Sequence, residues 1–239
     1  MKHIYGPVKS RRLGLSLGLS LTPHKTCSFS CVYCQLGKTT VTTCERKEYI
    51  PIQEILEELK AWLENNSEAA GSLNFITLSG SGEPTLNLKI GELIKEVKKI
   101  SNSKVAVITN ASLLQDASVR EEIRGSDLIV PSLDAATAEV FKKVDNPHPD
   151  IRIEDVIGGL VNLRKEFRGQ IWLEVMLVKG VNDDLRQVKK LKEAIGRINP
   201  DKIQLNSPVR STAEENIFPV DKSKLKKIKE ILGDKCEII

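Results

Sequence analysis

The 239-residue chain predicts an α/β fold, a parallel sheet with crossover helices packed on its outside, spread over one domain, residues 1–239. Three observations predict it. Strand-like and helix-like stretches alternate from end to end, which is the order a parallel sheet requires. No repeat of fixed period and no low-complexity linker interrupts that alternation. An apolar fraction of 40% is enough for a sizeable core. Six strand–helix units emerge, too few for a closed eight-fold barrel.

Residues 15–21 form the first strand. The first helix starts near Pro51, a residue suited to a first turn, and Ile52, Ile55, Leu56, Leu59, Trp62 and Leu63 follow at helical spacing. Strand two covers 74–78, and Leu88, Leu93, Ile94, Val97 and Ile100 mark the next helix. Strand three covers 104–108, with a short helix at 118–123; strand four covers 127–130, with a helix at 137–144. Pro147 and Pro149 make 145–151 a loop. A further helix carries Ile153, Val156, Ile157, Leu160 and Leu163. Strand five, 170–178, alternates: Ile171, Leu173, Val175 and Leu177 face one way, Trp172, Glu174 and Met176 the other. A helix at 185–198, strand six at 203–206, a helix with Leu225, Ile228, Ile231 and Leu232, and a short edge strand near 236–239 complete the chain.

Directly after the first strand comes Cys27-Ser28-Phe29-Ser30-Cys31-Val32-Tyr33-Cys34. Iron–sulfur clusters are usually held by four Cys thiolates; three leave one iron free for another ligand. A zinc site is the alternative, but structural zinc wants four ligands, often in two Cys-x2-Cys pairs, and Cys44, Cys236, His3, His24 and His148 form no such pair. A disulfide framework does not suit five scattered cysteines without a secretory signal.

The Cys-x3-Cys-x2-Cys spacing with Tyr33 before the last cysteine resembles the radical S-adenosylmethionine (SAM) superfamily. The resemblance implies a partial (β/α)6 barrel and a 4Fe–4S cluster on Cys27, Cys31 and Cys34. It implies SAM on the fourth iron and a 5′-deoxyadenosyl radical that takes hydrogen from a substrate. Ligands of parallel α/β folds lie beyond the carboxyl ends of the strands, where this loop falls.

Strand two runs into Ser79-Gly80-Ser81-Gly82-Glu83-Pro84-Thr85, which resembles the superfamily's Gly-Gly-Glu-Pro motif with Ser81 in place of the first glycine. The resemblance puts Gly80, Ser81, Gly82 and Glu83 at the SAM ammonium. The same resemblance implies that Thr109 and Asn110 at the end of strand three, and Ser132 and Asp134 at the end of strand four, contact the SAM ribose and carboxylate; capping the next helix is the competing role. Lys179-Gly180-Val181-Asn182-Asp183 sits where the superfamily often contacts adenine. Glu174 is expected in the lumen, as are Gln204 and Asn206, with Arg210 beyond them; Arg11 and Arg12 precede the first strand as a pair suited to phosphate or carboxylate. Cys44 and Cys236 read as structural.

Tyr5-Gly6-Pro7-Val8, Cys34-Gln35-Leu36-Gly37, Gly80 to Leu86 and Ser132-Leu133-Asp134-Ala135 resemble the branch holding the tRNA wyosine-base synthesis enzymes and uncharacterised relatives. Those enzymes carry a second cluster on N-terminal cysteines, whereas no cysteine precedes Cys27 here. The substrates implied are a small metabolite, a nucleotide or a tRNA base, with an electron donor of flavodoxin or ferredoxin type. The alternatives are an activase installing a glycyl radical on a partner protein, and a non-catalytic zinc or iron–sulfur protein. No apolar run reaches membrane-spanning length, and a net charge of +4 is a mild basic bias. The expectation is a cytoplasmic, oxygen-sensitive enzyme with no membrane partner.

Overall fold

The computed structural model describes residues 1–10 and 12–239. Arg11, half of the arginine pair read from the sequence, lies outside the described residues. The chain opens with β1 (Ile4–Ser10) and β2 (Gly14–Ser20), then two short strands, β3 (Thr26–Cys27) and β4 (Val41–Thr42). Helices α1 (Ile52–Asn65) and α2 (Ser67–Gly71) lead to β5 (Phe75–Ser79), α3 (Ile90–Ile100), β6 (Lys104–Thr109), α4 (Ala117–Ile123) and β7 (Leu128–Pro131). Then come α5 (Ala138–Val144), α6 (Ile153–Glu166), β8 (Gln170–Met176), α7 (Leu185–Ile198), β9 (Lys202–Asn206), α8 (Lys222–Leu232) and β10 (Cys236–Ile238).

Eight strands form one sheet in the order β1-β2-β5-β6-β7-β8-β9-β10. All neighbours are parallel except β1, which pairs antiparallel with β2. The sheet is open, with β1 and β10 at its edges, so the fold is the α/β architecture that the alternating units predict, and a partial barrel as the resemblance implies. The sequence predicts no strand at 4–10. Gly6 and Pro7 interrupt that run, and the register shifts between Tyr5 and Val8; such residues are tolerated at a sheet edge.

Period-two alternation sorts the two faces. Leu17, Leu19, Ile76, Leu78, Val105, Val107, Ile129, Ile171, Leu173, Val175, Ile203 and Leu205 are buried in the main core. Facing them are helix stripes such as Ile55, Leu59 and Trp62 of α1 and Val188, Leu191 and Ile195 of α7. On the other face Leu13, Ala106, Leu128 and Val130 form a separate small cluster, joined by Phe75, Ile108 and Trp172. Leu13, just ahead of β2, packs there near the starts of β6 and β7 and plugs the lower end of the barrel. Above this plug the lumen turns polar.

Several buried side chains fix the upper ends of the strands. Asn87 is fully buried; its amide donates to the carbonyls of Leu21 (2.9 Å) and Ile50 (3.1 Å), and its oxygen accepts from Lys89 N (2.9 Å). It thus ties the exit of β2 to the starts of α1 and α3. Replacing Asn87 by Ala strands two buried carbonyls and one amide. Urea unfolding should show a loss of about 2–3 kcal/mol; a loss below about 0.5 kcal/mol would mean that the staple carries no weight.

Candidate active site

The cysteine loop has little regular structure, so its shape is imposed by its neighbours. One side rests on the segment after α5: Val32 N donates to Val144 O (3.0 Å), Ser30 N to Asp145 O (3.1 Å), and His148 N to Ser28 O (2.8 Å). Phe29 packs edge-on against Phe141 with ring centroids 5.3 Å apart. The other side is clamped by the glycine loop after β5. Lys25 N donates to Ser81 O (2.8 Å) and Glu83 N to Thr26 O (3.2 Å).

The glycines serve this clamp. A β-carbon at Gly82 would fall on the carbonyl oxygen of Thr26, and one at Gly80, whose φ is +99°, would meet Ser20. Their nearest neighbours are thus parts of the chain itself. Glu83 is buried, and its carboxylate is saturated from within. Oε1 accepts from Thr85 N (3.1 Å), Thr85 Oγ1 (2.7 Å) and Thr109 Oγ1 (2.6 Å), and Oε2 from Asn110 N (2.7 Å). Burial pushes its pKa up and these donors pull it back. Glu83 is a bracket between the ends of β5 and β6, orienting the loop through its backbone.

Around the sulfurs, Lys25 Nζ donates to Cys34 Sγ at 3.1 Å, and the Asn110 amide stands 3.5 Å from Cys27 Sγ while donating to Ser28 Oγ at 2.9 Å. Cys31 faces Asp145 Oδ1 at 3.6 Å. Burial, reinforced by Glu83, pushes the Cys27 thiol up to about 12; burial and Asp145 push Cys31 well above the usual thiol range. As metal-free groups these are thiols, so iron uptake must release protons. Asp134 is buried, accepts from the Tyr33 hydroxyl and from Met176 N (2.7 Å), and is pushed up to about 7 chiefly by burial. Both its oxygens are therefore engaged within the protein.

Among the described residues no group of three or more His, Cys, Asp or Glu side chains is placed to hold a single metal ion. A cubane makes a different demand, one thiolate per iron. Three soft sulfurs on one loop, with an ammonium against one of them and a polar chamber beside them, fit such a cluster.

That chamber has a volume of about 470 Å³ and is lined by residues from β1 across to β9. Tyr33, Cys34, Gly80 and Ser132 stand on its wall. So do Ser16 and Thr77, hydrogen-bonded to each other, and Tyr5, whose ring covers Gly18 and whose hydroxyl meets Ser79. Glu174 also lines it, ion-paired with Arg12 and accepting from Asn206 Nδ2 at 3.3 Å. Arg12 lies just ahead of β2 and Glu174 on β8, four strands away in the sheet, so this pair spans the lumen. Arg210 reaches the wall too and donates to Gln35 Oε1 at 2.9 Å.

Other expected residues are placed elsewhere. Gln204 is buried on β9 and donates to Glu237 of β10 rather than lining the chamber. In the 179–183 turn, Asn182 donates to the carbonyls of Asp134 and Met176, and Asp183 bonds Gly180 N and Lys224. Cys236 is a buried residue of β10, pushed up to about 11 by that burial. The sequence assigns no role to Lys25 or Asp145. Lys25 is an isolated lysine before the cysteines and Asp145 the C-cap of α5, neither of which signals a site.

Comparison with known proteins places this geometry. Residues 21–191 match the model of a family described as the radical SAM superfamily. The chain is 39% identical to a protein named GTPase Obg from Brachyspira hyodysenteriae, an alignment covering 99% of this chain and 34% of that protein. It is 32% identical to a UPF0026 protein of Methanocaldococcus jannaschii, covering 98% of this chain and 71% of that one. It therefore spans about a third of the first relative and most of the second. Its fold is similar to that of a radical SAM methyltransferase from Sphaerobacter thermophilus (TM-score 0.70, 17% identity, 94% of this chain and 65% of that one). It is also similar to archaeal TYW1 (TM-score 0.61, 19% identity, 92% of this chain and 72% of that one).

Gly82→Ala tests the clamp. Its methyl group has backbone on the far side and cannot be accommodated by a rotamer change. The variant should retain the far-ultraviolet circular dichroism of the fold but bind less than half the iron of the parent after anaerobic reconstitution. Full iron occupancy would contradict the role given to the clamp.

Proposed function

The chain belongs to the radical SAM superfamily, and from that premise we propose that it is an enzyme using a 4Fe–4S cluster and SAM on a small substrate held in the polar chamber. The observation that carries this reading is that the cysteine loop meets the wall of that chamber through Tyr33 and Cys34. When bound, the cluster and SAM supply a 5′-deoxyadenosyl radical that removes a hydrogen atom from the substrate. Cys27, Cys31 and Cys34 would each hold one iron, leaving one iron to SAM. The backbone of Gly80, Ser81 and Gly82, oriented by Glu83, would receive the SAM ammonium. Ser132 and the Asn110 amide would contact its polar groups. Tyr33, fixed by Asp134, would close the wall beside the cluster.

The substrate is a small metabolite, a nucleotide or a tRNA base. Ser16, Thr77, Glu174 and Asn206 offer it hydrogen bonds in a space of about 470 Å³, within the range of ordinary ligand pockets. The segment after β9 leans over the cysteine loop: Glu214 N donates to Val32 O (3.1 Å), beside the Arg210–Gln35 bond. Polar side chains converging on the lumen favour a small substrate over the glycyl-radical loop of a partner protein. The single electron would come from a donor of flavodoxin or ferredoxin type. No helix among the described residues is long and apolar enough to cross a membrane, and a cytoplasmic, oxygen-sensitive enzyme is the accompanying reading.

Protein reconstituted with iron and sulfide without oxygen, given SAM and dithionite, should form 5′-deoxyadenosine and methionine, measured by chromatography. Changing Cys27, Cys31 and Cys34 together to Ala should abolish both the cluster absorbance and the products. Cleavage by that triple variant would refute the assignment.

A further inference from the structure

Lys25 is 4% exposed, an unusual position for a lysine. Its backbone is in the left-handed region, φ 59°, and is pinned on both sides. The N–H donates to Ser81 O, while the carbonyl accepts from Thr40 N (3.1 Å) and Val41 N (3.1 Å). The side chain is thereby aimed at Cys34, with Nζ 3.1 Å from Sγ. Among the described residues no carboxylate stands within ion-pair distance of this ammonium. Burying an ammonium calls for a counter-charge, which none of the described carboxylates supplies. A cluster bound by three thiolates does, because its net charge is negative and becomes more so by one unit on reduction.

We infer that Lys25 donates a hydrogen bond to the cluster-bound sulfur of Cys34 and raises the reduction potential of the cluster, easing the entry of the electron. The inference rests on the cluster reading of the proposed function. Hydrogen bonds to the sulfurs and local charge are what set such potentials. The ammonium attracts the reduced cluster more strongly than the oxidised one. One electron passes from the donor, dithionite in the test, to the cluster; Lys25 forms no covalent bond and gives up no proton. It is a positioning and tuning residue.

The test is a redox titration followed by electron paramagnetic resonance, without SAM, on the loaded parent, Lys25→Met and Lys25→Arg at matched iron and sulfide content. At a fixed poise the Met variant should show a reduced-to-oxidised ratio about three- to tenfold lower, a midpoint about 30–60 mV more negative at about 59 mV per tenfold. The Arg variant, which keeps the charge, should stay within about twofold of the parent, or about 20 mV. Equal midpoints for parent and Met variant overturn the inference. Should the Met variant fail to hold iron, parent protein labelled with 15N at the lysine side chains decides. Electron–nuclear double resonance should show 15N coupled to the reduced cluster, and no coupling overturns the inference. A parent that takes up no cluster sinks the proposed function as well, whereas equal midpoints in loaded proteins sink this inference alone.

Discussion

Two backbone hydrogen bonds, Lys25 N to Ser81 O and Glu83 N to Thr26 O, hold the cysteine loop to the glycine loop, and the site depends on them. A loop without regular structure cannot place three sulfurs by itself. Here its entry is set by β2, its flank by the segment after α5, and its height by the glycine loop. Gly82 permits the approach because a side chain there would collide with Thr26. Glu83 then transmits the position of β6 to the loop through bonds to Thr85, Thr109 and Asn110. Each contact is with backbone or with a side chain saturated within the protein, which leaves little freedom for the sulfurs to drift.

The barrel interior is divided by the same economy. Its lower end is closed by Leu13 against Ala106, Leu128 and Val130. Above that plug the inward positions of β2 and β5 are small or hydroxylated, Ser16, Gly18, Thr77 and Ser79, and so leave space instead of filling it. The Arg12–Glu174 pair crosses this space and keeps a buried carboxylate compensated. The chamber is thus polar and adjacent to Cys34, as a site for a polar substrate requires.

The parallel strands and their outer core were legible because period-two apolar runs survive any packing detail, and the cysteine spacing was legible because few chemistries use it. The edge strand β1 was not, since Gly6 and Pro7 mask it. The resemblance puts Gly80 and Gly82 at the SAM ammonium, but only the structure shows that Ser20 and Thr26 press against them. Gln204 and Asn206 share a parity that suggested one lumen face; the pairing of β10 beside β9 draws Gln204 to Glu237 instead. Lys25 carried no readable signal, because an isolated lysine in sequence is expected in solvent. Its burial follows from the left-handed turn that only the packed loops define.

The most direct test of the account is electron paramagnetic resonance of the iron-loaded, dithionite-reduced protein with and without SAM labelled with 15N or 17O at its amino and carboxylate groups. A reduced cubane signal that shifts on adding SAM and couples to the labelled atoms is the predicted result. A protein with no cubane signal, or one whose signal is indifferent to SAM, would contradict it.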